Sequence, residues 1–329
     1  MITDKSDLFI SWHMIIKDSI EVTLKSLDSL QGLYDECIIA VDSDYDQDEL
    51  YESIKIYPNT FVYRQKWPNR FDVARQDVLD RVSKKAIYIG WSDSDEELVS
   101  PVPREIREYL YKERPSAVNV ILRYLFQVGP CNPGDYYRVR MWRTDEPRVW
   151  ADSVHEYPAY KGKGSPLADN NFDIVFNHLR SGDGQYRADF NINRMLKDVE
   201  QGGLWRLPRL SGECRGVGRL EEALKYAKDG FLLTDRFDVI NDSMNELLLT
   251  CDALSDNKWS LMREHLFDII EKKPKLSESP FIAEYIALSY FYDNDMENAR
   301  YYHKKAVDLD VTNEFMFIKM NDKFYKLVD

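Results

Sequence analysis

The sequence predicts an α/β domain built on a mostly parallel sheet, followed by an all-α domain of helical repeats. In the first half, short apolar runs alternate with amphipathic segments, which is typical of parallel strands covered by helices. From about residue 183 onward the strand-like runs stop and helical periodicity takes over. We therefore expect a first domain at residues 1–182 and a helical domain at residues 183–329.

The elements of the first domain follow from these patterns in chain order. Strand-like runs are DLFISWHMII, ECIIAVD, TFVYRQKW, KAIYIGW, SAVNVILRYLFQV, DYYRVRMWRT and NFDIVFNHLR. Helical segments are SIEVTLKSLDSLQGLY, DELYESIKIY, RFDVARQDVLDRVSK and REIREYLYKE. In the first helix Ile20, Leu24 and Leu27 share one face, as an amphipathic helix requires. The runs on either side of GPCNPG are predicted to pair as a hairpin.

The second half contains a weak internal repeat. GRLEEALKYAKDGFLL and NDMENARYYHKKAVDL each place a small residue, Ala223 or Ala299, three positions before an aromatic one, Tyr226 or Tyr302. The stretch SMNELLLTCDALSDNKWSLMREHLFDIIEKKP resembles a degenerate copy between them. Helix pairs that recur about every 34 residues are typical of tetratricopeptide-type arrays. An unrelated helical bundle is the alternative.

Composition excludes several classes of protein. With 329 residues, 44% of them hydrophobic and 31% charged, the chain is typical of soluble globular proteins. A net charge of -13 argues against broad, charge-driven binding to nucleic acid or anionic membranes. We expect no membrane span and no signal peptide. The four cysteines are widely spaced and form no CxxC pair, so we expect a reduced, cytoplasmic protein.

Two acidic turns follow strand-like runs. Asp93 and Asp95 flank Ser94 directly after KAIYIGW, and Asp42 closes ECIIAV. Ligands bind beyond the carboxyl ends of such strands. Hard oxygen ligands suit Mg²⁺ or Mn²⁺, which commonly bridge carboxylates to substrate phosphates, although a solvated turn is the simpler interpretation. The Asp42 carboxylate could accept hydrogen bonds from a nucleoside, or its turn could cap the next helix.

The middle of the first domain offers further candidates. Glu156 and Asp152, in VWADSVHEYPAY, could each act as a general base beside an acceptor hydroxyl. His178, in FNHLR, could be a structural residue or could complete a metal site with the acidic turn, and mixed oxygen and nitrogen ligation favours Mn²⁺. Local basic residues could hold a diphosphate or form surface ion pairs. They are Arg138, Arg140, Arg143, Arg148, Arg180, Arg187 and Arg194.

Several well-known motifs are absent from the sequence. It contains no GxGxxG, GxxxxGK[ST], GxSxG or HExxH. This weighs against simple dinucleotide enzymes, P-loop NTPases, serine hydrolases and zincins.

In their order along the chain, these segments resemble the family 2 glycosyltransferases of the GT-A type, in the bacterial and phage branch with C-terminal tetratricopeptide-like repeats. The segments that carry the resemblance are ISWHMIIKDSIEVTLKSLDSL, DECIIAVDSDYDQD, WPNRFDVARQDVLD, WSDSDEEL, RMWRTDEPRVWADSVHEY and FNHLRSGDGQYRADFNINRMLKD. Departures from the family pattern are Lys17-Asp18-Ser19 in place of Lys-Asn-Glu, Gln76 in place of asparagine, and an acidic turn after Asp42 in place of the usual small one.

The resemblance implies transfer of a sugar from a nucleoside-diphosphate sugar, a UDP-sugar by preference, to an acceptor nucleophile with inversion. It implies that Mn²⁺ or Mg²⁺ is held by Asp95 together with Asp93 and His178. It places the donor against Asp42, Arg75, Asp93, Ser94 and Asp95. It makes Glu156 the first choice for the base and Asp152 the second.

The family acts on several kinds of acceptor, so a glycan, a protein or peptide, and a modified DNA base all stay open. Repeat domains also bind partners or dimerise, so a homodimer through the helical domain is possible. A non-catalytic scaffold that binds partner proteins through its repeats is the main alternative. A nucleotidyltransferase would need a glycine-rich loop near the N-terminus, and SWHMIIKDS contains no glycine.

Overall fold

The computed structural model describes residues 7–16, 19–43, 48–125, 134–162, 168–179 and 184–309. The chain divides into two compact units, Met1–Asp183 and Gly184–Asp329. The roles assigned to them from the sequence, catalytic domain and repeat domain, stay predictions. No helix in the described residues is long and apolar enough to cross a membrane.

The first unit is built on one mixed, mostly parallel sheet of eight strands, in the order β3-β2-β1-β4-β7-β6-β10-β5. Within it, β5 and β7 run antiparallel to the other strands. The strands of this sheet are β1 (Ile10–Ile16), β2 (Glu36–Asp42), β3 (Thr60–Gln65), β4 (Tyr88–Trp91), β5 (Glu96–Ser100), β6 (Ala117–Tyr124), β7 (Gly134–Arg143) and β10 (Val175–His178). A separate hairpin pairs β8 (Arg148–Ala151) with β9 (Tyr157–Tyr160).

In the part of this unit that the structure describes, the helices that cover the sheet are α1 (Ile20–Ser29), α2 (Asp48–Lys55), α3 (Phe71–Leu79) and α4 (Pro103–Glu113). The largest core packs Trp12 and Met14 of β1 with Leu27 of α1 and Leu110 of α4. A smaller cluster joins Val78 of α3 to the opposite face of the sheet. Apolar residues on both faces explain why the central strands are continuous apolar runs in the sequence.

The helical unit consists, in the described residues, of α5 (Gly184–Glu200), α6 (Leu207–Gly216), α7 (Leu220–Leu232), α8 (Phe237–Leu254), α9 (Lys258–Lys272), α10 (Pro280–Tyr292) and α11 (Met296–Leu309), with two short 3-10 helices. Ala223 and Ala299, the small residues of the sequence repeat, are fully buried. The predicted α/β sheet followed by an all-α region is confirmed, and the GT-A designation stays a prediction. The assignment of these helices to tetratricopeptide repeats stays a prediction.

Three elements differ from the sequence prediction. The acidic segment after Asp95 is not wholly a loop, because β5 begins at Glu96 and pairs with β10. The hairpin of β8 and β9 was also not expected. β5 depends on β10, a partner that is distant in the chain, rather than on local propensity, whereas β8 and β9 form a local hairpin joined by residues 152–156. Cys37, Cys214 and Cys251 are free and buried, and Cys131 lies outside the described residues.

Candidate active site at the carboxyl edge of the sheet

Three strand ends bring the predicted site residues to one edge of the sheet. Asp42 is the last residue of β2, the turn of residues 92–95 follows β4, and His178 is the last residue of β10. These three strands run in the same direction, so their carboxyl ends form the edge at which ligands of such sheets bind. Asp42 is buried there, and Ser43 N–H donates to the carbonyl of Gln65 at 2.8 Å.

Asp95 and His178 face each other across this edge. His178 Nε2 lies 3.5 Å from Asp95 Oδ2, and the backbone N–H of Leu179 donates to the Asp95 carbonyl at 2.7 Å. The imidazole stacks on the ring of Tyr124 with centroids 4.8 Å apart. Backbone pairing and ring stacking therefore fix the two side chains relative to each other.

Asp95 and His178 fit the role of cation ligands. Two neighbouring ligands about 2.1 Å from one Mg²⁺ or Mn²⁺ lie roughly 3 Å apart, close to the 3.5 Å that separates Asp95 Oδ2 from His178 Nε2. In the described part of the chain, no group of three or more His, Cys, Asp or Glu side chains could hold a metal. A cation here would therefore need phosphate and water oxygens to complete its shell, as Mg²⁺ commonly does.

Asp93, predicted as a third ligand, is held by two arginines instead. Arg75 Nη2 donates to Asp93 Oδ1, and Arg140 Nη2 lies 3.6 Å from Asp93 Oδ2. The Asp93 side chain is 41% exposed. Burial acts to raise its pKa, but the charges of Arg75 and Arg140 lower the pKa of Asp93 to about 2. The Asp93 carboxylate therefore pairs with guanidinium groups, whereas the Asp95 carboxylate faces His178.

Arg75 links Asp93 to the predicted base. Its guanidinium is 1% exposed, and Nε donates to Glu156 Oε1 at 2.8 Å. The same group lies over the rings of Trp91 and Trp150, 4.4 and 5.2 Å from their centroids. Burial acts to lower the Arg75 pKa, but Asp93 and Glu156 raise it, so the group stays charged. Arg75 was predicted to touch the donor, whereas the structure places it inside the protein as a link between two carboxylates.

Glu156 lies at the end of the loop between β8 and β9, with its side chain 12% exposed. Asp152 and His155 of this loop have left-handed backbone angles, with φ of 81° and 57°. Non-glycine residues rarely adopt this conformation, and it concentrates at functional sites. Phe71 N–H donates to the carbonyl of Ser153 at 3.2 Å, so α3 holds the loop that carries both candidate bases.

The acidic turn is pinned from several sides. Trp12 Nε1 donates to Ser92 Oγ at 3.0 Å, and Ser26 Oγ donates to the Glu96 carbonyl at 2.6 Å. Asp93 N–H donates to Glu96 Oε2 at 3.1 Å. Ser94, predicted to contact the donor, is buried. The turn is therefore a fixed corner between β4 and β5.

Glu96 and Arg140 are central to the site, although the sequence predicted Arg140 only as one of several arginines that could hold a diphosphate or form surface ion pairs. Glu96 is fully buried and accepts a hydrogen bond from Arg140 Nη2. The Arg140 guanidinium lies 3.5 Å from the centroid of Trp91. Burial raises the Glu96 pKa, against the charge of Arg140. The strand pattern could not single out Arg140, because Arg138 has the same parity on β7 and is exposed.

Among the described residues, three other arginines of the predicted basic set have partners elsewhere. Arg143 pairs with Asp145 at 2.8 Å, and Arg148 Nη1 donates to the Pro158 carbonyl at 2.9 Å. Arg194, in the helical unit, lies 3.6 Å from Asp198. Arg180 and the side chain of Arg187 lie outside the described residues.

A buried histidine lies close to the two central arginines. His13, in the middle of β1, is fully buried, and its ring meets the edges of Trp142 and Trp150 at centroid distances of 6.1 and 5.8 Å. Burial, with the charge of Arg75, lowers the pKa of His13 to about 3. Its imidazole is therefore neutral and adds no charge to the cationic cluster.

Comparison with known proteins gives distant structural likenesses only. No family model and no curated protein sequence matches the chain. Residues 1–349 of TarS from S. aureus, solved with UDP, are 11% identical, with 92% of each chain covered and a TM-score of 0.40. A 4-diphosphocytidyl-2C-methyl-D-erythritol synthase from Anaerococcus prevotii is 13% identical over 43% of this chain and 72% of its own, with a TM-score of 0.31. A Mycobacterium tuberculosis protein solved with manganese is 16% identical over 41% of this chain and 70% of its own, with a TM-score of 0.27. At these identities and TM-scores, the likenesses carry no argument about activity.

Proposed function

We propose that the first unit is a metal-dependent glycosyltransferase that moves a sugar from a nucleoside-diphosphate sugar, preferentially a UDP-sugar, to an acceptor hydroxyl or amine. The observation that carries the proposal is the pairing of Asp95 Oδ2 with His178 Nε2, 3.5 Å apart, at the carboxyl edge of the sheet. A carboxylate and an imidazole so placed can share a divalent cation, and ligands of such sheets bind at this edge.

The donor's nucleoside would lie against Asp42, whose carboxylate can accept hydrogen bonds from a base or ribose. Mn²⁺ or Mg²⁺ bound by Asp95 and His178 would neutralise charge that develops on the leaving diphosphate. Arg75 and Arg140 are buried behind the acidic turn and pair with Asp93, Glu156 and Glu96, so in this proposal they fix the carboxylates of the site.

Glu156 is the base in this proposal. Its carboxylate would take the proton of the acceptor as the acceptor atom bonds to the anomeric carbon and the bond from that carbon to the diphosphate oxygen breaks. The reaction would release the nucleoside diphosphate and invert the anomeric centre. Arg75 holds Glu156 Oε1 at 2.8 Å, which fixes the direction of the carboxylate. Asp152 is the second choice for the base.

The acceptor is proposed only by class: a glycan, a protein or peptide, or a modified DNA base. The net charge of -13 counts against duplex DNA. A homodimer through the helical unit also stays a prediction.

Titration calorimetry with UDP and UDP-sugars, with and without Mn²⁺, tests the proposal. We expect Mn²⁺-dependent binding, and we expect Asp95→Asn to weaken it about 100-fold, because the carboxylate ligand is lost. Glu97→Gln is the matched control, since Glu97 pairs with Lys25 at 3.0 Å and should bind as the wild type does. Glu156→Gln should keep donor binding and lose turnover about 100-fold or more. Unchanged Mn²⁺-dependent binding in Asp95→Asn would refute the proposed site.

A further inference from the structure

Residues 93–96, which comprise most of the acidic turn and the first residue of β5, are contacted at both ends by Arg140, and Arg75 also donates to Asp93. Arg140, on β7, is 2% exposed. Its Nη2 donates to Glu96 Oε1 and lies 3.6 Å from Asp93 Oδ2. These carboxylates belong to the first and last residues of the turn, and Asp95 lies between them. Arg140 therefore contacts both ends of the segment that places Asp95 opposite His178.

The turn also closes on itself through the same two residues. Asp93 N–H donates to Glu96 Oε2 at 3.1 Å, and Glu96 N–H donates to the Asp93 carbonyl at 3.3 Å. The Arg140 guanidinium is fixed against Trp91, 3.5 Å from the ring centroid. A planar group stacked on a ring has one orientation in which to meet its carboxylates, so the position of the turn follows from the position of β7.

Stability alone does not explain this arrangement. Arg140 Nε and Nη1 have no hydrogen-bond partner among the described residues, and a buried donor without a partner costs free energy. Replacing a buried ion pair by apolar side chains of similar volume is often neutral or stabilising. The role that remains for the ion pair of Arg140 and Glu96 is to fix the position of the turn.

We propose that Arg140 is a positioning residue for the cation site: it fixes both ends of the turn and so keeps Asp95 Oδ2 opposite His178 Nε2. The consequence for donor binding rests on the proposed function. The order of the turn itself does not, and this allows the two ideas to fail separately.

The test compares four variants with the wild type. Arg140→Met removes the charge, and Arg140→Lys keeps the charge but not the planar fork. Arg140→Met with Glu96→Gln also removes the buried carboxylate that would otherwise lose its cation, and this protects folding. Arg138→Met is the matched control, because Arg138 lies two residues earlier on the same strand and is exposed.

The first measurement is hydrogen exchange of the amides of residues 93–96. We expect exchange about tenfold faster in Arg140→Met and in the double variant, with the turn freed from β7. Exchange in β1 and β2 should not change, and Arg138→Met should match the wild type throughout. Wild-type exchange rates in the turn of the double variant would overturn the proposal.

The second measurement is Mn²⁺ binding in the presence of UDP, followed by electron paramagnetic resonance. We expect the Kd for Mn²⁺ to rise about tenfold or more in the double variant, as for other residues that orient metal ligands, and to rise less in Arg140→Lys. In turnover, the change should fall on KM for the donor rather than on kcat. Wild-type affinity in the double variant would contradict the role of Arg140. If the wild type binds no Mn²⁺ with UDP, the proposed function fails, and the exchange rates still decide whether Arg140 positions the turn.

Discussion

The carboxyl edge of the sheet and the helical unit handle charge in opposite ways. At the sheet edge, carboxylates and mostly buried guanidiniums alternate, from Glu156 through Arg75, the half-exposed Asp93 and Arg140 to Glu96. In the described residues of the helical unit, an apolar core lies beneath ion pairs that are mostly at or near the surface, and the buried pairs Glu284–His303 and Arg206–Asp198 are exceptions. Buried ion pairs add little net stability, but they require a defined geometry of the paired side chains. The first region is therefore organised for position, and the second for stable packing.

The largest expected effect comes from removing the central guanidinium. Arg75→Met should destabilise the first unit by about 3 kcal/mol or more, because it leaves Asp93 and Glu156 without their buried cation. The matched variant is Arg263→Met in the helical unit, where Arg263 is 15% exposed and pairs with Asp293 at 2.7 Å. It should cost about 1 kcal/mol. Urea unfolding measures both, and equal costs would abolish the contrast between the two regions.

An intermediate effect is expected from glycine substitutions that test the packing of each region. Gly90 pairs in register with Trp12, and a Cβ at Gly90 would run into the Trp12 ring. Since Trp12 Nε1 is tied to Ser92, Gly90→Ala should cost about 1–3 kcal/mol. In α7, a Cβ at Gly230 would meet the hydroxyl of Ser243, which can rotate away, and would lie 3.0 Å from Ser243 Cβ, which requires a small shift of the helices.

Gly230→Ala should therefore change stability by no more than about 1 kcal/mol, since the gain in helix propensity offsets the adjustment. Differential scanning calorimetry of the two variants gives the comparison. A larger loss in Tm for Gly230→Ala than for Gly90→Ala would show that the helical unit is the less tolerant region.

The smallest expected effect concerns a surface carboxylate. Hydrogen bonds from Lys228 and Lys272 lower the pKa of Asp268 in the helical unit to about 2. A lowered folded-state pKa adds stability above the ordinary pKa, and this stability is lost as the pH falls toward about 2. Because Lys272 is exposed and Lys228 and Asp268 are partly accessible to solvent, raising the salt to about 1 M should move the pKa back toward its ordinary value. NMR titration measures it, with Lys228→Met as the low-salt control, and a salt-independent pKa would mean that the pair is shielded from solvent.

Much of the sheet could be predicted because central parallel strands must be apolar on both faces. The runs ending at Asp42 and Trp91 became β2 and β4, and Asp42 and the turn that follows Trp91 lie at one edge of the sheet. Asp95 and His178 lie 3.5 Å apart at that edge, and their role as cation ligands stays a prediction.

The different contacts of Asp93 and Asp95 within the acidic turn could not be predicted. Asp93 and Asp95 are two residues apart in one loop, and only partners from distant elements, Arg75 on α3 and Arg140 on β7, distinguish them. For the same reason β5 escaped prediction, since Glu96 is a poor strand former that pairing with β10 and an ion pair hold in place. The local sequence does not indicate which distant residues these side chains and strands will contact.

The start of β5 immediately after Asp95 makes the site intolerant of changes in chain length. Glu96 is buried and Glu97 reaches Lys25 because alternate residues of a strand point to opposite faces. One inserted residue between Asp95 and Glu96 would exchange those two faces. Glu97, which pairs with Lys25, would then point inward, and Glu96, the partner of Arg140, would point outward. In homologous chains, substitutions within this turn should therefore be commoner than insertions or deletions.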